Sequence, residues 1–277
     1  MTAPFVPSPW KIRGGELAFS APSGIGRRVL VMGILNVTPD SFSDGGHFLE
    51  PSDAVARAEA LLRGGADILD VGGQSTRPGF SAISPEEEWA RLERVLPPVC
   101  RMATVSVDTF FPEVARRALE AGAHIINDVT GLRSPEMRRV IVRYVCGAVL
   151  MRCGELPPGC DPVAAARDFF EEGIALCEAD GVDPSRLALD CGVGFGTTRE
   201  QDRELLLRMG ECRVRGLPLL AAASRKRVIA EYYSGSVPPE MRDEGTHVAH
   251  GQAVEAGADI VRVHDVPGAV RALRVNG

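Results

Sequence analysis

The sequence predicts an α/β fold, a (β/α)8 TIM barrel preceded by an N-terminal hairpin. Two observations carry that expectation. Eight short apolar runs alternate with helical patterns at intervals too short for extra domains, and polar residues gather where the apolar runs stop. A chain of 277 residues suits one such barrel. It reads as a single domain over 1–277, with residues 1–27 as an extension and hairpin. A doubly wound open sheet is the alternative, but no GxGxxG turn follows the first strand and that sheet needs fewer strands.

Trp10 to Ser20 holds two short alternating runs around Gly14-Gly15, the pattern of a hairpin. RRVLVMGIL (27–35) is the first continuous apolar strand. Residues 51–64 have helical periodicity with Ser52 as a cap candidate, and ADILDV (66–71) is the second strand. Helix 85–95 then leads to TVSVD (104–108), helix 112–121 to HIIND (124–128), and helix 135–144 to CGAVLM (146–151). Helix 162–179 leads to RLALD (186–190), helix 200–209 to PLLAAAS (218–224), and a segment ending at Gly257 to ADIVRV (258–263). Residues 267–275 form the closing helix.

Composition narrows the function classes. A net charge of −6 with no basic run argues against nucleic acid, which needs concentrated Lys and Arg. No run approaches the roughly 20 apolar residues that span a bilayer, so the cytoplasm is the expected compartment. Seven scattered cysteines without CxxC pairs read as reduced thiols, with Cys100, Cys146, Cys177 and Cys212 as core or helix fillers.

In a barrel of this kind the site is built at the C-terminal ends of the strands. Polar residues stand there in this chain: Asn36, Asp70 with Gln74 to Arg77, Asp108, Asn127 with Asp128, Arg152, Asp190, Ser224 to Lys226, and Arg262 with His264. Each Asp or Asn alone could be a helix cap. Several are followed instead by another polar residue and a glycine, which argues for a site. Two loops, TPDSFSDGG (38–46) and GGQSTRPGF (72–80), combine proline, glycine hinges, hydroxyls and one aromatic each, the composition of a closing lid.

The stretches NVTPDSFSDGG (36–46), DVGGQSTRPG (70–79), SVDT (106–109), INDVTG (126–131), LDCGVGFG (189–196), SRK (224–226) and RVHD (262–265) resemble, in order, the motifs of the dihydropteroate synthase family, the folate-pathway target of sulfonamides. The resemblance implies a (β/α)8 barrel and a transferase that condenses 6-hydroxymethyl-7,8-dihydropterin pyrophosphate with p-aminobenzoate. It implies that Asp108, Asn127, Asp190 and Lys226 bind the pterin. Asn36, Arg77, Arg262 and His264 would bind the pyrophosphate, with Asn36 also a ligand of Mg²⁺. Phe42, Thr76, Arg77, Pro78, Phe195 and Ser224 would bind p-aminobenzoate. Asn36, Lys226, Arg262 and His264 are the expected catalytic set, and a homodimer is the expected assembly. Arg262 and His264 are i and i+2 on a strand, so they share a face, and inside the barrel they would form an anion clamp with Asp265 pointing elsewhere.

The chain departs from the family pattern at Arg152-Cys153, Cys191, Thr197 and Ala222, and has Gln74 where Glu is frequent. Cys153 and Cys191 are expected as packing residues that could approach each other, and His247 and His250 as residues of an outer helix face. Two other readings stay open: a pterin-binding paralogue without turnover, and a pterin-dependent methyltransferase-like module. Neither needs an aminobenzoate site, so the two closing loops favour the synthase.

Overall fold

The structure is a computed structural model that describes residues 5–20, 27–38, 51–74 and 83–275. A small antiparallel hairpin, β1 (Trp10–Ile12) and β2 (Gly15–Leu17), turns at Gly14, whose φ of 78° suits glycine. The barrel strands are β3 (Leu30–Asn36), β4 (Ile68–Gly72), β5 (Thr104–Asp108), β6 (Ile125–Asp128), β7 (Gly147–Met151), β8 (Leu187–Asp190), β9 (Leu219–Ala221) and β10 (Ile260–Val263). They pair in parallel and close, β10 joining β3. Around them run α1 (Pro51–Arg63), α2 (Pro85–Leu92), α3 (Leu96–Cys100), α4 (Pro112–Glu120), α5 (Pro135–Tyr144), α6 (Pro162–Ala179), α7 (Arg199–Leu207), α8 (Asp243–Glu255) and α9 (Val266–Val275).

Local chemistry sets the helix starts. Ser84, Ser134 and Asp161 each accept a backbone N–H of the first turn, and a proline follows each at the first helical position. Thr198 and Gln201 form a reciprocal capping box at α7. Ser52 is not a cap, because α1 already begins at Pro51. The expected helix 85–95 ends at Leu92, and a further short helix, α3, carries Pro97 and Pro98 in its first turn, where their missing N–H groups cost nothing. The expected strand 218–224 is paired only over Leu219–Ala221.

Strand alternation divides the core in two. Outward residues such as Leu69, Val107, Ile126, Leu150, Leu189 and Val261 pack under the helices. Inward residues Leu30, Met32, Ile68, Ile125, Val149, Ala188, Leu220 and Ile260 form a second cluster with Trp10, Ile12 and Phe19. The N-terminal segment thus plugs the lower mouth of the barrel. Trp10 is fully buried and its Nε1 donates to the Arg186 carbonyl at 2.8 Å. Each such apolar side chain contributes roughly 1.5–3 kcal/mol by burial. Gly147 is required beneath this plug, since a Cβ there would lie 2.9 Å from Ile12 Cγ2. With the bottom filled by hydrocarbon, the polar inward positions sit at the C-terminal ends of the strands.

Candidate active site

The same alternation that points Ile68, Ile125, Ala188 and Ile260 inward carries Asp70, Asn127, Asp190 and Arg262 inward two residues later. Asp108 and Asn127 are register partners, as are Asp70 and Ser106. Arg262 Nε donates to Asp70 Oδ2 at 2.6 Å and Nη2 to Asp108 Oδ2 at 2.9 Å. Asn127 Nδ2 donates to the same Asp70 oxygen at 3.2 Å. This leaves Asp70 Oδ1, Asp108 Oδ1 and Asn127 Oδ1 buried without a hydrogen-bond partner among the described residues. Buried acceptors are normally satisfied, so a cluster of open ones is a reason to expect a ligand rich in N–H donors. Burial pushes the Asp108 carboxyl up to about 7, against the pull of the Arg262 guanidinium.

Opposite them stands Lys226. Its Nζ donates to the Val193 carbonyl at 2.6 Å and lies 4.6 Å from the centre of the Phe195 ring, a cation–π contact. Burial lowers its ammonium to about 8, and the Asp190 carboxylate opposes that shift. Asp190 Oδ1 accepts the Gly192 N–H at 2.8 Å, and burial raises its carboxyl. The Gly192–Gly196 turn is glycine-dependent: Gly192, Gly194 and Gly196 all have positive φ, and a Cβ on Gly192 would stand 1.9 Å from the Arg152 carbonyl oxygen. Asp202 on α7 holds the turn from behind, its Oδ1 accepting from Gly194 N at 2.7 Å and from the Thr197 hydroxyl.

At the β9 and β10 ends, Ser224 Oγ lies 2.9 Å from His264 Nδ1 and accepts the His264 backbone N–H at 3.3 Å. The Ser224 oxygen has a second lone pair, so this pair works with either tautomer of His264, Nδ1–H donating to the hydroxyl or the hydroxyl donating to Nδ1. Arg225 sits between Ser224 and Lys226 in the left-handed region, at φ 61°, and its guanidinium turns away to Asp243 in two contacts of 2.7 Å. Asn36, half-buried at the end of β3, makes no side-chain hydrogen bond to a described residue, and its Oδ1 lies 3.9 Å from where a Gly72 Cβ would stand.

The structure brings Asn36, Asp108, Asn127, Asp190, Phe195, Ser224, Lys226, Arg262 and His264 to one end of the barrel. Phe42, Thr76, Arg77 and Pro78 lie outside the described residues. Several expectations need correction. Asp128 alternates outward and accepts the Thr130 N–H and hydroxyl at 2.7 Å each, so it shapes a turn. His250 does not lie on an outer face: it is buried, its Nε2 accepts the Ala223 N–H at 3.1 Å, and burial drops its pKa to about 3. It is a neutral prop beneath Ser224. His247 pairs with Asp265 at 3.3 Å, outside the clamp. Cys153 and Cys191 do not meet, since Cys153 Sγ faces the Thr130 carbonyl and Cys191 Sγ faces Met209 Sδ at 3.4 Å.

Glu88 on α2 was not singled out by any motif. It is fully buried, accepts from Gln74 Nε2 at 3.1 Å and Thr109 Oγ1 at 3.2 Å, and ties the ends of β4 and β5 together. Burial raises its carboxyl to about 8, opposed by the Thr109 hydrogen bond. The folded protein therefore binds a proton that the unfolded chain releases above ordinary carboxylate pH, and this share of stability is lost as pH rises through about 8. Urea unfolding at pH 5 and pH 8 is expected to show the wild type losing roughly 2–4 kcal/mol more than Glu88→Gln over that interval. Parallel behaviour of the two proteins would mean Glu88 is ionised in the fold.

Comparison with known proteins decides the family. The pterin binding enzyme family matches residues 32–264. The dihydropteroate synthase of Synechocystis is 41% identical over 254 residues, covering 87% of this chain and 86% of the relative. The chain belongs to the dihydropteroate synthase family of pterin-binding enzymes. Two further members frame it. A probable bifunctional folylpolyglutamate synthase/dihydropteroate synthase of Halobacterium salinarum is 45% identical over 263 residues, 90% of this chain, and the chain spans 31% of that longer protein. A dihydropteroate synthase of Xanthomonas albilineans, solved with 4-aminobenzoic acid, superposes with a TM-score of 0.85 at 43% identity, covering 90% of this chain and 92% of the other. The dihydropteroate synthase barrel is thus the frame in which the polar cluster at the strand ends is read.

Proposed function

We infer that the chain catalyses the dihydropteroate synthase reaction of folate biosynthesis: 6-hydroxymethyl-7,8-dihydropterin pyrophosphate and p-aminobenzoate give 7,8-dihydropteroate and pyrophosphate. The observation that carries this reading is the set of open buried acceptors, Asp108 Oδ1 and Asn127 Oδ1, facing the partly buried Lys226 inside a pterin-binding barrel. The guanidine-like edge of a pterin supplies N–H donors for those oxygens and for Asp190, and Lys226 donates to its carbonyl or ring-nitrogen side. The chain's own residues then order the chemistry. Arg262, using the Nη1 group that makes no hydrogen bond to a described residue, and the His264 ring receive the departing pyrophosphate. The methylene C–O bond breaks with its electron pair on the pyrophosphate, the neutral arylamine nitrogen forms the C–N bond, and the surplus N–H proton passes to the released pyrophosphate or to water. Ser224 takes the aminobenzoate carboxylate and Phe195 packs its ring. No general base is needed, which fits a pocket rich in clamps and without an activated nucleophile.

Asn36 offers one amide oxygen, and no group of three acidic, histidine or cysteine ligands occurs among the described residues. That donor set fits Mg²⁺ carried in on the pyrophosphate, with phosphate and water oxygens completing its shell, and we assign Asn36 as its protein ligand. When bound, the ion would neutralise pyrophosphate charge. We also propose a cytoplasmic homodimer. Seven free thiols suit a reducing compartment. No described helix is long and apolar enough to cross a membrane. Exposed Leu207 and Tyr232 line the groove between α7 and α8, and exposed Val248 lies on α8, which together offer an apolar seam. Light scattering should read about twice the 29.6 kDa chain mass, and a monomer would remove the seam's assigned role.

Purified protein supplied with pterin pyrophosphate, Mg²⁺ and p-aminobenzoate should release pyrophosphate and dihydropteroate in equal amounts. Tight pterin binding with no product would instead identify a binding paralogue.

A further inference from the structure

Arg152 is one of the largest fully buried side chains among the described residues, and no carboxylate of a described residue pairs with it directly. Its side-chain bonds to described residues all run to backbone carbonyls. Nε donates to Cys191 O at 3.1 Å, Nη1 to Gly154 O at 2.8 Å, and Nη2 to Gly192 O at 3.2 Å and to Phe195 O. Three of these four acceptors belong to the turn between β8 and α7, and the fourth to the loop after β7. The same two segments are stitched at the backbone, Arg152 N donating to Asp190 O at 2.8 Å and Leu156 N to Gly196 O at 2.8 Å. The missing side chains of Gly192 and Gly196 make room for the carbonyls of Arg152 and Gly154.

What this turn presents to the pocket is Asp190, the Val193 carbonyl that holds Lys226 Nζ, and the Phe195 ring beneath the same ammonium. A planar fork of five N–H donors is the side chain able to fix several carbonyls in one arrangement, and a lysine ammonium cannot reproduce it. A buried guanidinium is costly to desolvate and is retained here with carbonyl dipoles as its partners. Burying such a group behind a glycine-rich turn has an obvious return only if the turn's shape matters.

We propose that Arg152 is a positioning residue for the pterin end of the site: it clamps the 191–195 backbone so that Val193 and Phe195 hold Lys226 in the pocket. The proposal deepens the synthase reading and rests on it for its kinetic arm alone. Without the clamp the turn opens to water around Lys226, which is faced by Asp190, Asp108, Asp202, Arg262 and the neutral His250.

The test uses Arg152→Ala and Arg152→Lys in the full chain. Amide hydrogen exchange, read without substrate, should accelerate about tenfold or more at Gly192, Gly194 and Leu156 in both variants while the amides of β3 to β6 keep wild-type protection. Ethylguanidinium should restore the protection in Arg152→Ala and leave Arg152→Lys unchanged. In turnover, the KM for pterin pyrophosphate should rise about tenfold with kcat changed less than about threefold, and the alkaline limb of kcat/KM should move upward as water reaches Lys226. Wild-type exchange in both variants overturns the proposal, whether or not the protein turns over. So does global loss of protection in both, since Arg152 would then hold the barrel and not the turn. If exchange responds as stated and the wild type forms no product, the clamp stands and the synthase reading fails.

Discussion

Replacing Arg262 with methionine is expected to lower kcat/KM by roughly 10³ and to destabilise the fold by roughly 3–5 kcal/mol. The two effects have separate causes. Arg262 neutralises Asp70, which is wholly buried, and Asp108, which nearly is. Taking the guanidinium away leaves two carboxylates facing each other in a dry interior, and the cheapest relief is for one of them to take a proton. The acid midpoint for Asp108 should therefore rise further above the ordinary carboxylate range. The catalytic loss comes from the missing cation beside the departing pyrophosphate. Arg262→Lys separates the two: one ammonium restores charge but cannot bridge both carboxylates with the fork geometry, so stability should recover more than turnover. Urea titration together with pyrophosphate release measures both. Full activity in Arg262→Met, with only stability lost, would reduce Arg262 to a structural counter-ion.

The second large effect belongs to Lys226. Its ammonium, lowered to about 8 by burial, is charged at neutral pH and loses its proton above about 8. Asp108, raised to about 7, becomes a poorer acceptor as pH falls below that value. The rate profile should therefore be a narrow bell in kcat/KM, the acid limb set by Asp108 and the alkaline limb by Lys226. Lys226→Met should cost on the order of 100-fold in kcat/KM for the pterin substrate and erase the alkaline limb, because a hydrogen bond from a charged donor in a dry site is lost together with the charge. Persistence of that limb in the variant would assign it to another group.

The barrel was legible because its two periodicities are local. Buried strands read as apolar runs, and helices as stretches opened by proline and a capping serine or aspartate. The inward carboxylates could also be found, since a polar residue two positions after an inward apolar one must point the same way. What the sequence could not show is anything set by distance along the chain. Trp10 meets Arg186 across 176 positions, so a plug in the barrel floor looked like a loose hairpin. Glu88 reads as one of three consecutive glutamates at a helix start, and only its contacts with Gly73, Gln74 and Thr109, just past β4 and β5, make it the buried one. Arg152 at a strand end resembled any other site cation until its four carbonyl partners came together. His250 misled for a related reason: an i, i+3 pair defines a shared face but not which way that face turns.

Recognition of the pterin by the open buried oxygens is the central prediction. A crystal structure of the chain with pterin pyrophosphate should place the donor edge of the ring about 3 Å from Asp108 Oδ1, Asn127 Oδ1 and an oxygen of Asp190, with Lys226 Nζ on the opposite edge and the pyrophosphate against Arg262 and His264. A ring bound elsewhere, with those buried oxygens still unpaired, would contradict it.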